Sequence, residues 1–204
     1  MSLIVVTQRI DYCSDRSETR DSLDQRLVSF ISKAGFHSFP LPNFIDANMS
    51  EEYQYKNIDK WISSINPKGV VLSGGNNIGE YSNRDLTEKN LLNYAMTRKI
   101  PVLGICRGMQ MLATFEKIGL HPVIGHVKTR HKISGEINMI TNSFHNFSIN
   151  ECSNKYKILA KSEDGEIEAI RHLSLPWEGW MWHPEREINF NLEDVNRIRN
   201  HFKY

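Results

Sequence analysis

The stretch PVLGICRGMQ, residues 101–110, forms the unit around which the rest of the chain is arranged. Its apolar first half ends at Cys106 and a helix-forming sequence follows at once, which predicts a strand, a sharp turn and a helix. Gly104 and Gly108 flank the cysteine, and small residues there let the backbone turn tightly and lift a nucleophile above the sheet. The N-terminus of the following helix favours a thiolate. We therefore predict a nucleophile at Cys106, although a lone cysteine is more often a buried apolar residue.

A second stretch, WMWHPE at residues 180–185, lies far along the chain. Its alternating aromatic residues predict a strand with His183 at its end. His183 and Glu185 are two residues apart, so in an extended backbone both side chains leave one face and the carboxylate can orient the imidazole. Alone, this sequence would more often be a surface turn with a solvated charge. Together with the predicted turn at Cys106, it indicates a Cys106, His183 and Glu185 catalytic triad.

Three motifs resemble the class I glutamine amidotransferases: GICRGMQ (104–110), WHPE (182–185) and VLSGG (71–75). Within that superfamily the chain is similar to the free-standing γ-glutamyl hydrolase branch, the γ-glutamyl-γ-aminobutyrate hydrolase-like proteins, through NSFHN (142–146) and DGEIEAI (164–170). The resemblance covers most of the chain and implies a flavodoxin-like α/β fold: a doubly wound, mostly parallel but mixed sheet flanked by helices. It also implies hydrolysis of a γ-glutamyl amide through a cysteinyl thioester, without a cofactor.

The same resemblance assigns roles to residues around the nucleophile. It gives the oxyanion hole to the backbone N–H groups of Gly75 and of Arg107, the residue after the nucleophile. It places the glutamyl amino and carboxylate groups near Gln110 and residues 143–145. Gln110 could equally cap its helix, and His145 could be a packed histidine. The substrate-binding residues expected at this end are Gln110, Ser143, Phe144 and His145.

Basic residues are dense in segments that we expect near the site. Residues 17–26 and 40–43, with the short chain length, resemble hydrolases of bacterial capsule phosphoramidate synthesis, whose substrate is γ-glutamyl-CDP-amidate. A nucleoside diphosphate carries several negative oxygens, which guanidinium and ammonium groups bind well. A solvated basic surface would also explain these residues. The candidate contacts to the leaving group are Arg9, Arg20, Arg130 and Lys132, the last two in a loop expected after the nucleophile's helix.

Composition and charge argue against several classes of protein. The net charge is +1, so nothing global predicts nucleic acid or an anionic membrane as a partner. With 204 residues and 40% hydrophobic content, we expect a single domain over residues 1–204. The three cysteines are irregularly spaced, which favours a reducing compartment, so we expect a cytoplasmic protein. Residues 1–6 lack a signal-peptide pattern, and no apolar run reaches the roughly 18 residues of a membrane span.

Metal binding and partner chains are addressed by simpler observations. His121, His126 and His131 recur every five residues, which suits neither one helix face nor one strand face, so we expect no metal site from them. We expect a small-molecule γ-glutamyl substrate, with a homo-oligomer left open. Three alternatives compete with the nucleotide-linked substrate. They are a γ-glutamyl-γ-aminobutyrate hydrolase, a glutaminase subunit that delivers ammonia to a separate synthase, and a binding domain without catalysis, which the complete triad disfavours.

Hydrophobic periodicity predicts the order of the elements. The predicted strands of the first part are 3–7, 36–41, 70–72 and 101–105. The helices predicted between and after them are 23–34, 58–65, 85–98 and 108–119. Asp85 and Glu88 resemble a capping box at the start of the third helix. Short strands at 123–124, 137–141, 156–160 and 167–170 then predict antiparallel hairpins, before a closing helix over 195–202.

Overall fold

The computed structural model describes residues 2–44 and 48–203 of the chain. The strands are β1 Ser2–Thr7, β2 Arg9–Cys13, β3 Glu18–Ser22, β4 Phe36–Leu41, β5 Gly69–Leu72, β6 Val102–Ile105, β7 Leu120–Pro122, β8 Val127–Gly135, β9 Met139–Phe144, β10 Phe147–Ile149, β11 Tyr156–Ser162, β12 Ile167–His172 and β13 Trp177–Trp180. The helices are α1 Gln25–Lys33, α2 Glu51–Ile65, α3 Ser82–Arg98, α4 Arg107–Phe115 and α5 Leu192–His201, with a 3-10 turn over Pro184–Arg186.

The main sheet has nine strands in the order β4-β1-β5-β6-β13-β12-β11-β8-β9. The first five of these strands are parallel, and each later neighbour pairs antiparallel. This arrangement confirms the predicted doubly wound, mixed sheet. Because ligands bind beyond the carboxyl ends of strands in such sheets, the segments that follow β1, β5, β6 and β13 face one shared edge.

Helices cover both faces of the parallel strands, so those strands are buried on both sides. Val5 of β1 packs in one core cluster with Leu91 of α3. Its neighbour Ile4 belongs to the opposite cluster, with Phe30 of α1 and Ile198 of α5. This double burial explains why the central strands read as continuous apolar runs in the sequence.

The antiparallel part of the fold corrects three sequence expectations. Residues 123–124 are not a strand, and Ile124 is almost fully exposed. The basic residues 128–132 lie in strand β8 rather than in a loop, because the strand presents much of its length to solvent and so carries few apolar residues. The polar residues 9–22 form a β2–β3 hairpin that the sequence analysis did not predict.

The predicted capping box at the start of α3 is also wrong. The residue before this helix is Tyr81, which makes no capping side-chain hydrogen bond. Asp85 and Glu88 are buried and hydrogen-bonded to Arg107 instead. The two carboxylates therefore connect α3 to the helix that follows the nucleophile.

None of the helices in the described residues is both long enough and apolar enough to cross a membrane.

Candidate active site

Cys106 lies in the turn between β6 and α4, where its backbone has φ 51° and ψ −105°. A side chain rarely adopts a positive φ, and such strain is typical of functional sites. The Cys106 N–H donates to the Trp180 carbonyl at 2.7 Å, which ties the turn to β13. A Cβ at Gly108 would lie 2.2 Å from the Leu72 carbonyl oxygen, and one at Gly104 would lie 2.5 Å from the backbone of Gly108. Both glycines are therefore required by close packing, as the sequence pattern predicts.

His183 and Glu185 form the second part of the site. Nδ1 of His183 is 2.6 Å from Oε1 of Glu185, and both residues are buried. The contact forms because the chain enters the 3-10 turn at Pro184, so the predicted extended backbone is wrong even though the pairing is present. With Nδ1 engaged by the carboxylate, Nε2 is the ring nitrogen left for Cys106.

Two side chains distant in sequence hold the backbone of this turn. The Asn142 amide donates to the His183 carbonyl at 2.8 Å, and its oxygen accepts from the His183 N–H at 3.0 Å. Arg26 of α1 donates to the Glu185 carbonyl at 2.7 Å. These contacts fix the position of the imidazole before any substrate binds, which is what a proton-transfer group requires.

Charge controls the protonation of His183. Burial alone would lower its pKa, but the neighbouring Cys106 sulfur and Glu185 carboxylate outweigh that effect and raise the pKa of His183 well above its usual 6.5. An imidazolium at neutral pH stabilises a thiolate beside it. The arrangement can therefore supply a nucleophilic sulfur and a proton donor together, as acyl transfer needs.

A cavity of about 360 Å³ opens onto this pair of residues. Its walls come from the segments after β1, β5, β6, β9 and β13, so the cavity lies at the predicted edge of the sheet. The lining residues are Arg9, Asp11, Gly75, Asn76, Asn77, Glu80, Cys106, Arg107, Gln110, Phe144, His145, Asn146 and His183.

The two residues expected to form an oxyanion hole both line this cavity. Gly75 has φ +88°, a conformation that favours glycine. Its neighbour Gly74 lies against His183, since a Cβ there would be 2.5 Å from the imidazole Cε1. Arg107 is the first residue of α4, where a backbone N–H has no partner within the helix.

Four buried charged residues support this part of the site, and the sequence analysis assigned them no such role. Arg107 is paired with Glu88 and with Asp85. Arg84 binds Glu88 at 3.2 Å and donates to the carbonyl oxygens of residues 73–75 at 2.9–3.3 Å. Burial lowers the pKa of Arg84 to about 10, and Glu88 partly offsets this effect, so the guanidinium stays charged at neutral pH. The network therefore fixes both predicted oxyanion donors.

A sequence signal for this network does exist. Arg84 and Glu88 are in helical phase with Leu91 and Ala95, which face the core. Charged residues on the apolar face of a helix are rarely buried unless they are paired. The pattern therefore indicates partners elsewhere in the chain, although it cannot identify Arg107 as one of them.

Three of the four residues expected around the glutamyl group line the cavity: Gln110, Phe144 and His145. Gln110 does not cap its helix, because its amide donates to the Phe147 carbonyl at 2.9 Å. The Phe144 ring meets His183 edge-on, with centroids 5.8 Å apart. Ser143 is not in the lining. It is buried and its hydroxyl donates to the His126 carbonyl at 2.7 Å.

Of the four basic residues expected at the leaving group, Arg9 lines the cavity and is paired with Asp11. Arg20 lies on the neighbouring strand opposite Asp11 and binds Glu18 at its Nε. Arg130 is paired with Glu187 at 2.8 Å.

The fourth, Lys132, is exposed on β8. Arg20, Arg130 and Lys132 are therefore outside the cavity lining. The expected contacts of these three residues were inferred from a loop placement that the β2–β3 hairpin and strand β8 replace.

The fold and this site together define a class of protein. The family model described as "Glutamine amidotransferase class-I" matches residues 21–202. The chain belongs to this family.

Individual relatives narrow the comparison. Gamma-glutamyl-CDP-amidate hydrolase of Campylobacter jejuni is 35% identical over 196 residues, which cover 92% of this chain and 92% of that protein. A subunit of the glutamine-hydrolysing GMP synthase of Pyrococcus abyssi is 32% identical over 146 residues, 67% of this chain and 76% of that protein. A solved structure of a putative GMP synthase subunit from Thermoplasma acidophilum has a TM-score of 0.72 at 19% identity, covering 99% of this chain and 93% of that one, which shows the fold.

Proposed function

We propose that this protein is a cysteine hydrolase that cuts a γ-glutamyl amide and releases glutamate. The observation that carries the proposal is the geometry around Cys106. Its sulfur lies on a strained turn beside an imidazole whose other nitrogen is 2.6 Å from the Glu185 carboxylate. Such an arrangement suits attack on a carbonyl carbon, with the imidazolium as the proton donor.

The proposed reaction has two halves. The Cys106 thiolate attacks the γ-carbonyl carbon, and the oxyanion accepts hydrogen bonds from the N–H groups of Gly75 and Arg107. The carbon–nitrogen bond breaks as His183 gives its proton to the leaving nitrogen, which leaves a thioester. Water then attacks the thioester while His183 takes a proton from it, and glutamate leaves as the thiolate is restored. Glu185 stabilises the imidazolium in both halves.

We further propose that the leaving group carries a nucleoside diphosphate, so that γ-glutamyl-CDP-amidate yields glutamate and cytidine diphosphoramidate. Two observations support this assignment. The relative named for that substrate is similar over 92% of both chains. Arg9, whose guanidinium is about half exposed, also lies in the cavity lining, where a forked donor can bind phosphate oxygens.

A glutaminase that serves a separate synthase is the second candidate, because the GMP synthase subunit of Pyrococcus abyssi is also similar to the chain. The two candidates differ in what the protein does alone. We expect the purified chain to hydrolyse γ-glutamyl-CDP-amidate with a higher kcat/KM than γ-glutamyl-γ-aminobutyrate or glutamine, measured by released glutamate. Turnover of glutamine as the best substrate, or turnover that appears only with an added synthase, would support the glutaminase instead. Since all three cysteines are free, we also propose a cytoplasmic location.

A further inference from the structure

A second group of titratable side chains lies behind the cavity, and the proposed reaction does not use it. His126 precedes β8, His131 lies in β8, His145 follows β9 and Glu168 lies in β12. Nδ1 of His126, Nε2 of His131 and Nε2 of His145 are 3.5, 3.3 and 3.4 Å from Oε1 of Glu168. These four residues are here called the His-Glu cluster. Glu168 is fully buried, and among the described residues neither of its oxygens has a hydrogen bond of ordinary geometry.

Outward contacts fix which nitrogen of two rings carries a hydrogen. Nε2 of His126 is 2.8 Å from Oδ2 of Asp164, and Nδ1 of His145 is 3.1 Å from the Phe147 carbonyl oxygen. A carboxylate and a carbonyl can only accept, so each of these outer nitrogens is the donor. In the neutral rings, Nδ1 of His126 and Nε2 of His145 are therefore lone pairs. Histidines that bind metals are held in this way, by a carboxylate or a carbonyl on the far nitrogen.

The inner atoms of the cluster then repel one another unless a positive charge lies among them. The two lone-pair nitrogens, Nδ1 of His126 and Nε2 of His145, are only 3.3 Å apart. Both also face the Glu168 carboxylate, which has no hydrogen to donate when ionised. Electron-pair donors from separate strands thus converge on one point in the interior.

The distances match the size of a tetrahedral metal site. Four ligands at 2.0–2.1 Å from a zinc ion are about 3.3–3.4 Å from each other. The four separations given above for atoms of the cluster lie between 3.3 and 3.5 Å. We propose that the His-Glu cluster binds Zn²⁺ through Nδ1 of His126, Nε2 of His131, Nε2 of His145 and Oε1 of Glu168.

This zinc would be structural, because four protein ligands complete a tetrahedral site and leave no position for substrate. It would join β8 and β12 to the segment after β9, where His145 itself lines the cavity. The spacing of His121, His126 and His131 argues against a metal site formed by those three. His121 lies elsewhere, beside Asn150 and Glu166, and the cluster is completed from other strands that spacing within one segment cannot reveal.

The test uses the full-length Cys106→Ser protein, so that the catalytic sulfur cannot bind zinc. After dialysis against a chelator, it is titrated with ZnCl₂ by calorimetry. One equivalent is expected to bind, and the Tm should be higher in zinc than in chelator because the ion binds the folded state. Cobalt should give the visible absorption of a tetrahedral site.

Variants in the same background locate the site. Glu168→Gln and His131→Ala should each weaken zinc binding more than about 100-fold, since a ligand is lost. Asp164→Asn should weaken it about 10- to 100-fold through the orientation of His126. His131 and Asp164 are partly exposed, so their variants carry the test if Glu168→Gln does not fold. The control His121→Ala should bind zinc like the parent.

Two results would overturn the proposal. The first is a parent protein that binds no zinc above the chelated blank and has the same Tm in zinc and in chelator, which would leave protons to hold the cluster together. The second is zinc binding that survives His131→Ala and Asp164→Asn unchanged, which would place the ion elsewhere.

Discussion

The two ends of the cavity are built differently. At the glutamyl end, Cys106, His183 and Glu185 are at most 6% exposed, and buried ion pairs fix the backbone beside them. At the other end, Arg9 and Asp11 lie on a hairpin with side chains 48% and 37% exposed. The buried end is preorganised and suits the chemical step, whereas the exposed end can change with little cost to the fold. The chemistry and the choice of leaving group should therefore respond to different mutations.

The largest effect is expected from Cys106→Ser. Removing a nucleophile should lower kcat/KM about 10⁴-fold or more without unfolding the protein. The other two cysteines provide the controls, and burial raises the pKa of Cys152 to about 11, which makes it a poor nucleophile. We expect Cys13→Ser and Cys152→Ser to keep activity. Mass spectrometry after a γ-glutamyl chloromethyl ketone should find the adduct on Cys106, and an adduct on Cys13 or Cys152 would refute the assignment.

The next effect concerns the stability of the buried end. Glu88→Gln leaves Arg84 and Arg107 without their shared carboxylate, which should cost about 3–5 kcal/mol in the free energy of unfolding. Urea unfolding measures this loss, and Glu52→Gln, at an exposed pair with Lys56, is the matched control with little expected change. A loss no larger than that of the control would mean that the network contributes no net stability.

The Glu88 network also predicts a pH dependence. Burial favours the neutral acid, but Arg107 and Arg84 outweigh it and hold the pKa of Glu88 below its usual 4.5. Because the folded pKa is lowered, the stabilisation is present above pH 4.5 and is lost as the pH falls through the folded pKa. Unfolding at acid pH should therefore be steeper in the parent than in Glu88→Gln.

Proton transfer gives the third prediction. His183→Ala should lower kcat/KM by about 10²-fold or more, and Glu185→Gln by less, because an amide can still orient the ring. Since the pKa of His183 is raised, the fall of kcat/KM on the alkaline side should lie well above pH 6.5. In Glu185→Gln that fall should move to lower pH, because the stabilising carboxylate charge is gone. A near-full rate in His183→Ala would contradict the triad.

The sequence predicts the buried end of the cavity well, for a physical reason. The turn at Cys106 depends on local glycines, and the pairing of His183 with Glu185 depends on residues two positions apart. Both signals lie within short stretches. The β2–β3 hairpin was missed because its strands are exposed and carry no apolar alternation.

Contacts between distant segments were the other omission. Asn142 binds both backbone groups of His183, and Arg84 binds the carbonyl oxygens of residues 73–75. Neither contact leaves a mark in the spacing of the sequence. Nor does the meeting of His126 and His145 with Glu168, since β12 brings the carboxylate from more than 20 positions away.

The smallest effects are expected at the exposed end. Arg9→Gln keeps the aliphatic stem that packs near Gly75 but removes the charge. It should lower kcat/KM for γ-glutamyl-CDP-amidate about five- to tenfold, because a partly exposed charged hydrogen bond is worth about 1 kcal/mol or slightly more. An uncharged γ-glutamyl anilide should be unaffected. Added salt should lower the rate of the parent on the charged substrate and have less effect on the variant.

Neighbouring basic residues grade this last prediction. Arg20→Gln should have a smaller effect, because Arg20 lies one strand from Asp11 and is engaged by Glu18. Arg130→Gln is the matched control: its guanidinium is paired with Glu187 outside the cavity, so little change is expected. An equal loss on both substrates in Arg9→Gln would mean that Arg9 supports Gly75 rather than the leaving group. No loss on either substrate would make Arg9 a solvated surface charge, and the exposed end would then have no part in choosing the substrate.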